Sequence, residues 1–298
     1  MEKKKKALIL INAYLQSGAQ LSQAERMKEE LEKLGVKTDV LRNDSFYAIV
    51  SEGKIKTDLV EKYDFCVYFD KDKYISEMLE KAGMRLFNSH DGILVCDDKM
   101  QTYITLSGKN IPMPKTVAGL LCYHTDARLR KQTVEELEKI FSYPIIVKEC
   151  YGSQGKGVYM AKDRTELIAL MQKLKCHAHL FQETVKTSIG RDVRVIVIGG
   201  KVVASMLRQS KSDFRSNIEL GGVGSEYTPS FETQMLCERI AQELSLDYCG
   251  IDVLFGAGGK PIVCEVNSNA FFAGIERVTG VNVAKAYAEY VYDKVYRG

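Results

Sequence analysis

The sequence predicts an α/β domain at the amino terminus followed by a larger α+β portion. Three observations predict it. Up to about residue 88, apolar strand-like runs alternate with amphipathic helical stretches, the pattern of a parallel sheet with helical crossovers. Beyond residue 98, strand-like runs come in adjacent pairs joined by glycines, the pattern of antiparallel hairpins with helices packed on them. The length, 298 residues, suits about two domains.

In the first part, Ala7 to Ile11 reads as a strand buried on both faces. Ser22, with Glu25 three residues on, reads as a capping box opening a helix. Ala24, Met27, Leu31 and Leu34 are its apolar stripe, and Gly35 stops it. Thr38 to Leu41, Phe65 to Phe69 and Arg85 to Phe87 are further strands, with a helix ending near Gly83. Asn12-Ala13-Tyr14 follows the first strand where a dinucleotide fold would carry Gly-x-Gly-x-x-Gly, so that fingerprint is absent.

In the second part, a helix around Lys99 to Leu106 leads through Gly108 to the extended linker Ile111-Pro112-Met113-Pro114. Ile145 to Glu149 and Val158 to Ala161 are strands flanking a glycine-rich loop, and Asp163 to Leu174 is a helix. Arg191 to Ile198 and Lys201 to Leu207 form a hairpin about Gly199-Gly200. Ile251 to Phe255 and Pro261 to Val266 form another. Val281 to Val295 closes the chain as a helix with Val283, Ala286, Tyr287 and Tyr290 on one side. There is no internal repeat.

Composition narrows the function. Lys+Arg number 42 against 39 Asp+Glu, a net charge of +3, which is too balanced for a binder of phosphate backbones. The apolar run behind the basic start is too short for a signal peptide, and no stretch is long enough to cross a bilayer, so a soluble cytoplasmic protein is expected. None of the eight cysteines forms a C-x-x-C pair, so buried free thiols are expected rather than a zinc or dithiol site. The four histidines read as surface or structural residues, and no Gly-x-Ser-x-Gly elbow supports a hydrolase.

The segment from Gly250 to Asn267 carries the strongest chemical signal. With Gly258-Gly259 as a two-residue turn, Ala257 faces Lys260, Phe255 faces Ile262 and Asp252 faces Glu265. Asn267 joins the carboxylate face. The other face, Ile251, Val253, Phe255, Ile262, Cys264 and Val266, is apolar and belongs to a core. Two carboxylates placed so should repel, and a divalent cation between them reverses the sign. Mg²⁺ suits best, a hard ion that takes one or two carboxylates, waters and substrate phosphates. A solvated polar face is the plain alternative.

Lys148 stands just before the loop Tyr151-Gly152-Ser153-Gln154-Gly155-Lys156-Gly157, whose backbone amides could close over phosphates. This is not a Walker loop, because no helix follows Gly155-Lys156. A hairpin turn with no ligand fits equally. The segment Gln182-Glu183-Thr184-Val185 could pair its backbone with an adenine. Asp192 and Arg194 share a strand face, as ligand groups or as one side of a cross-strand ion pair. Arg215, Ser216 and Asn217 read as a loop suited to an anion.

In this order the segments resemble the ATP-grasp superfamily, and most closely its RimK-like carboxylate–amine ligases. The resemblance runs from about Asn88 to about Ala284. It rests on Asp98-Lys99, Ile111 to Thr116, Val147-Lys148, the glycine loop, Gln182-Glu183 and Gly190 to Arg194. It continues through Arg215-Ser216-Asn217, Gly250-Ile251-Asp252, Glu265-Val266-Asn267, Gly274-Ile275-Glu276 and Thr279-Gly280. It implies ATP between two α+β lobes of an ATP-grasp fold, spanning residues 89–187 and 188–298, behind an α/β domain of residues 1–88. It implies Lys99 and Lys148 at phosphates, the glycine loop (Gly152, Ser153, Gln154, Gly155 and Gly157) as a lid, and Gln182, Glu183, Thr184 and Val185 at the adenine. Asp192 would lie toward the ribose region and Arg215 and Asn217 toward the phosphate or acyl-phosphate end, with Arg194 and Ser216 also counted among the residues that bind ATP. Asp252, Glu265 and Asn267 would hold two Mg²⁺ (or Mn²⁺) ions. Lys148 and Arg215 would stabilise charge in the reaction. The implied activity is amide formation through an acyl phosphate, on an amino acid, a peptide or a protein tail, and the resemblance allows a homo-oligomer. A nucleotide-binding scaffold without catalysis, or an ATP-dependent kinase, are the rivals. Ser268-Asn269-Ala270-Phe271-Phe272 follows the metal Asn where many relatives carry a small residue and Pro, so no particular substrate carries over.

Overall fold

The computed structural model describes residues 5–15 and 18–298. The chain starts with β1 (Lys6–Ile11), α1 (Gly18–Lys33), β2 (Lys37–Arg42), the hairpin β3 (Ile49–Ser51) and β4 (Lys54–Lys56), α2 (Leu59–Lys62), β5 (Phe65–Phe69), α3 (Lys73–Lys81) and β6 (Leu86–Phe87). Four of these strands form a parallel sheet in the order β2-β1-β5-β6. The continuous apolar run of β1 is explained by burial on both sides. Ala7, Ile9 and Ile11 face one core, while Leu8 and Leu10 face another. Helix α1 already runs from Gly18, so Ser22 lies inside it and is not its cap. The sequence reading also omitted the β3–β4 hairpin.

Next come α4 (His90–Asp97), α5 (Lys99–Leu106), β7 (Thr116–Ala118), α6 (Lys131–Ile140), β8 (Ile145–Glu149), β9 (Val158–Ala161), α7 (Arg164–Leu174) and β10 (His179–Glu183). A second, antiparallel sheet has the order β7-β10-β8-β9. Its core joins Ile145, Val147 and Phe181 to Val134 and Leu137 of α6 and Leu167 and Met171 of α7. Asp98 and Asp163 cap α5 and α7 through their carboxylates.

The remaining elements are β11 (Arg191–Ile198), β12 (Lys201–Gln209), β13 (Val223–Glu226), α8 (Phe231–Glu243), β14 (Tyr248–Phe255), β15 (Pro261–Asn267), α9 (Ala273–Thr279) and α10 (Val283–Tyr296). The third sheet, β13-β12-β11-β14-β15, is antiparallel. Val193, Val195 and Val197 of β11 face α8 in one core, which also takes Cys96, Leu106 and Ile111 from the α4–α5 region. Ile196 and Ile198 face the opposite core, shared with α10 and the first sheet. Among the described residues no helix is long and apolar enough to cross a membrane, and the eight cysteines are free thiols.

Ile198 pairs with Lys201, so Gly199 and Gly200 form the expected two-residue turn, with φ of +57° and +75°. A Cβ on Gly199 would stand 2.5 Å from the Tyr290 ring. Gly199→Ala is expected to destabilise the fold by about 1–3 kcal/mol, read as a lower urea midpoint at unchanged slope.

The carboxylate hairpin departs from expectation near its turn. Residues Ala257–Gly259 form a 3₁₀ turn closed by the Gly256 amide donating to the Lys260 carbonyl at 2.8 Å. The longer loop shifts the register by one, so Phe255 pairs with Pro261 and Leu254 with Ile262, not Phe255 with Ile262. A bulge at Cys264 then takes up the extra residue, and Asp252 faces Glu265 as expected. The bulge removes Cys264 from the apolar face. Val263 takes its place in the core beside Val253, and Cys264 looks into the cleft described next.

Candidate active site

The second and third sheets face each other across a cleft, and Gln182 to Val185 lie at its back where the chain passes from one to the other. Two cavities occupy it. The smaller, about 110 Å³, has aliphatic walls from Ile146 and Met160 on one side and Leu254 on the other. Lys148, Arg191, Arg208 and Arg215 supply its positive charge and Glu183, Asp192, Asp252 and Glu265 its negative charge. The larger, about 440 Å³, lies between the third sheet, the glycine segment and the carboxyl end of the first sheet. Arg208 and Asn217 line both, so they stand at the shared wall.

Most of the expected residues meet here. Lys148, Gly155, Gln182, Glu183, Thr184, Val185, Asp192, Arg215, Ser216, Asn217, Asp252 and Glu265 line the smaller cavity. Ser153, Gln154, Arg194, Asn217 and Asn267 line the larger. Lys99, Gly152 and Gly157 line neither. The Lys99 ammonium donates to the Gly152 carbonyl at 2.9 Å and stands 3.5 Å from a Glu265 oxygen, so it ties the glycine segment to the carboxylate strand. Gly157 packs on Glu149, where a Cβ would come within 3.0 Å. Glu183 is a clasp as well as a wall: its amide donates to the Lys115 carbonyl at 3.0 Å, and its carboxylate accepts from the Lys115 amide at 2.7 Å.

Cross-strand pairing sets the electrostatics. Asp192 pairs with Arg208 on β12, and Arg194 with Asp252 on β14. Arg208 holds Asp192 through Nε at 2.7 Å and Nη2 at 2.6 Å, and reaches Asp252 at 2.9 Å. Arg194 donates to both Asp252 oxygens, with Nη2 at 2.8 Å and Nε also engaged. Two carboxylates and two guanidiniums thus alternate in a neutral quartet. Asp192 and Arg194 therefore form cross-strand ion pairs, the alternative left open by the sequence. The repulsion expected between Asp252 and Glu265 is met on one side by the two arginines and on the other by Lys99, so no cation is required to keep the strands together. Among the described residues no group of three His, Cys, Asp or Glu side chains is placed to hold a metal ion.

Burial raises the charge cost at Asp252, but Arg194 and Arg208 outweigh it and hold the carboxyl at about 2. Asp192 is pushed up instead, because burial, reinforced by the negative Asp252, outweighs Arg208 and a hydrogen bond from Ser216. Lys148 is buried, with its ammonium 3.5 Å from Cys264 Sγ. Burial works against its charge, yet Cys264, Tyr103 and Glu265 outweigh it and hold Lys148 above the usual lysine range. It stays an ammonium at neutral pH, ready for an anion.

The glycine segment is drawn toward the third sheet. Arg215 donates to the Gly155 carbonyl at 2.8 Å while a bidentate pair with Asp213 fixes its guanidinium. A Cβ on Gly155 would lie 2.8 Å from Asn217 Oδ1, so only glycine allows that approach. Arg208, Cys264 and Tyr103, whose hydroxyl donates to the Cys264 carbonyl at the bulge, were missed by the sequence reading. Counting back from Gly199-Gly200 places Leu207 opposite Asp192. A bulge after Val202 moves Arg208 there.

The model of the RimK-like ATP-grasp domain matches residues 79–291. The chain belongs to the RimK-like ATP-grasp family. β-Citrylglutamate synthase B of Danio rerio is 38% identical over 227 residues, 76% of this chain and 55% of that one. The chain spans about half the length of the first such relatives it matches. A probable α-L-glutamate ligase of Maridesulfovibrio salexigens is 32% identical over 220 residues, 73% of this chain and 70% of that one. Among solved structures, the ATP-grasp ligase PsnB, complexed with a variant of its minimal precursor, Mg and ADP, superposes with a TM-score of 0.70 at 17% identity, covering 98% of this chain and 99% of that one. The two-lobe ATP-grasp architecture of this RimK-like chain is shared with that ligase.

Proposed function

We propose that this RimK-like protein is an ATP-dependent carboxylate–amine ligase that forms an amide through an acyl phosphate. One observation carries the reading: two adjoining cavities share a wall at Arg208 and Asn217, one with apolar jaws and a buried lysine, the other polar and open to a second domain. A nucleotide seated in the first would present its terminal phosphate to a substrate in the second. The base would lie between Ile146, Met160 and Leu254, against Thr184 and Val185. Lys148 would hold phosphate oxygens, with Arg215 and Asn217 toward the transferred group and Lys99 steadying the glycine segment as a lid.

A carboxylate oxygen of one substrate attacks the γ-phosphorus, the bond to the β-phosphate oxygen breaks, and ADP leaves. An amine lone pair then attacks the acyl carbon, phosphate departs with the bonding pair, and the amine gives up a proton. No covalent enzyme intermediate is needed. Orientation and fixed positive charge do the work, and the closed lid keeps water from the acyl phosphate. Glu265 and Asn267 offer hard oxygen donors at adjacent sheet positions, and Asp252, whose oxygens Arg194 and Arg208 hold, would have to share one with the ions; this set would hold the two Mg²⁺ (or Mn²⁺) ions of the family pattern, which would neutralise phosphate charge. The neighbour solved with Mg and ADP supports nucleotide and metal. The names of the relatives support an amino acid, glutamate first, as the amine.

The test is incubation with ATP, Mg²⁺, L-glutamate and a panel of small carboxylic acids and peptides, with products read by mass spectrometry. ADP, phosphate and a new amide should appear in equal amounts. A stable phosphorylated product without free phosphate, or nucleotide binding without turnover, would overturn the reading. Lys148→Ala should lower turnover by about 10²- to 10³-fold, the scale for losing one fixed charge-stabilising donor.

A further inference from the structure

Strand β15 breaks its ladder at Cys264. Asp252 pairs with Glu265 and Val253 with Val263, so Cys264 has no partner on β14. Without the bulge, the same turn would set Asp252 opposite Cys264 and Ile251 opposite Glu265. Paired residues share a face, so Glu265 would then point into the apolar core beside Ile251. The bulge is what brings Glu265 to the cleft, and a bulge leaves the strand short of ladder bonds where it bends. Two groups outside the sheet take hold there. The Val263 amide donates to the Pro112 carbonyl at 2.9 Å, and the Tyr103 hydroxyl donates to the Cys264 carbonyl. Tyr103 is 7% exposed and stands one turn after Lys99 on α5, and the Lys99 ammonium lies 3.5 Å from a Glu265 oxygen. One helix face thus grips the backbone just before Glu265 and also answers its carboxylate. Packing alone would be served by phenylalanine. The hydroxyl adds one directed bond, at the peptide that leads into Glu265.

We propose that Tyr103 is a positioning residue, whose hydroxyl pins the bulge so that Glu265 meets the divalent ion on the Asp252 side of the cleft. The proposal rests on the ligase reading for its view of Glu265 as an ion ligand. It gives a part in holding the ion to a residue that lines neither cavity.

Calorimetric titration with ADP tests it, run once in EDTA and once in saturating Mg²⁺. The factor by which Mg²⁺ tightens ADP binding reads the ion site, and pairing of the ion with free ADP is the same for every variant. Tyr103→Phe should lose about tenfold of the wild-type factor, the scale for removing a group that orients a metal ligand. Its ADP affinity in EDTA should stay within about twofold of the wild type, which checks folding. Glu265→Gln should lose at least as much of the factor. The double variant should lose no more than about twofold beyond Glu265→Gln alone, because the tyrosine acts through that carboxylate. Placing 4-aminophenylalanine at position 103 supplies a donor again and should keep most of the factor. A Tyr103→Phe protein with a lowered urea midpoint and the full factor has a structural tyrosine only, and overturns the proposal. Losses that multiply fully in the double variant overturn it too, as does a 4-aminophenylalanine protein that loses as much as Tyr103→Phe. If amide forms while Tyr103→Phe keeps the full factor, this inference alone falls. If the factor depends on Tyr103 through Glu265 and no amide forms with any acid, the ligase reading falls instead.

Discussion

Glu265→Gln is expected to lower Mg²⁺-dependent ATP turnover by about 10²- to 10³-fold while leaving the urea midpoint near that of the wild type. The Glu265 side chain is a quarter exposed, and its partner Lys99 stands 3.5 Å away with a second bond to the Gly152 carbonyl. Loss of its charge leaves the buried Lys99 ammonium with the Gly152 carbonyl and a neutral amide, a smaller cost than at Asp252, whose partners are two guanidiniums. Asp252→Asn is a different experiment, although the sequence alone treats the two carboxylates as equivalents. Asp252 is 3% exposed and answers both Arg194 and Arg208. Neutralising it leaves a net positive quartet in a low-dielectric site, a change on the scale of about 3–5 kcal/mol. Turnover would then fall with stability, and the activity loss could not be assigned to the metal. ADP release measured beside urea unfolding separates the two variants. Glu265→Gln with full activity would remove the carboxylate from the proposed ion site.

The elements fixed by local pattern were legible in the sequence. The run from Ala7 to Ile11 had to be a strand buried twice over, and Gly199-Gly200 had to be a tight turn because both residues need positive φ. The site was less legible because two bulges shape it, and a bulge leaves little mark on a single sequence. The expected pairing of Asp252 with Glu265 is met only because a longer turn and the bulge at Cys264 shift the register in opposite senses. The same kind of shift puts Arg208, not Leu207, opposite Asp192. Without that arginine the sequence left the carboxylates short of counter-charge, and a cation was the natural remedy. The triad of Asn12, Asn43 and Asp70, hydrogen-bonded together beside the larger cavity, was out of reach for another reason. Its members come from three strand ends and meet only when the parallel sheet closes.

Arg208→Met should be the most damaging of these substitutions to stability, by about 3–5 kcal/mol at neutral pH. The aliphatic replacement fills much of the volume but leaves Asp192 and Asp252 buried, with only Arg194 to answer them. The pH dependence identifies the cause. In the wild-type protein Asp252 is held at about 2, below the ordinary 3.8, so its ionisation stabilises the fold above about pH 4. That contribution, about 2 kcal/mol, is lost as pH falls from about 4 to 2. Asp192, pushed up by burial, works in the opposite sense and limits the total. Removing Arg208 lets both carboxyls rise, so the variant takes up protons at higher pH and sheds its buried charge early. The gap between the two proteins' urea midpoints should therefore be widest near pH 7, begin to narrow where the variant's raised carboxyls take up protons, and go on narrowing down to about pH 2, where Asp252 of the wild type protonates. A gap that stays constant across that range would mean that Arg208 acts through packing alone, and that the quartet's charges balance without it.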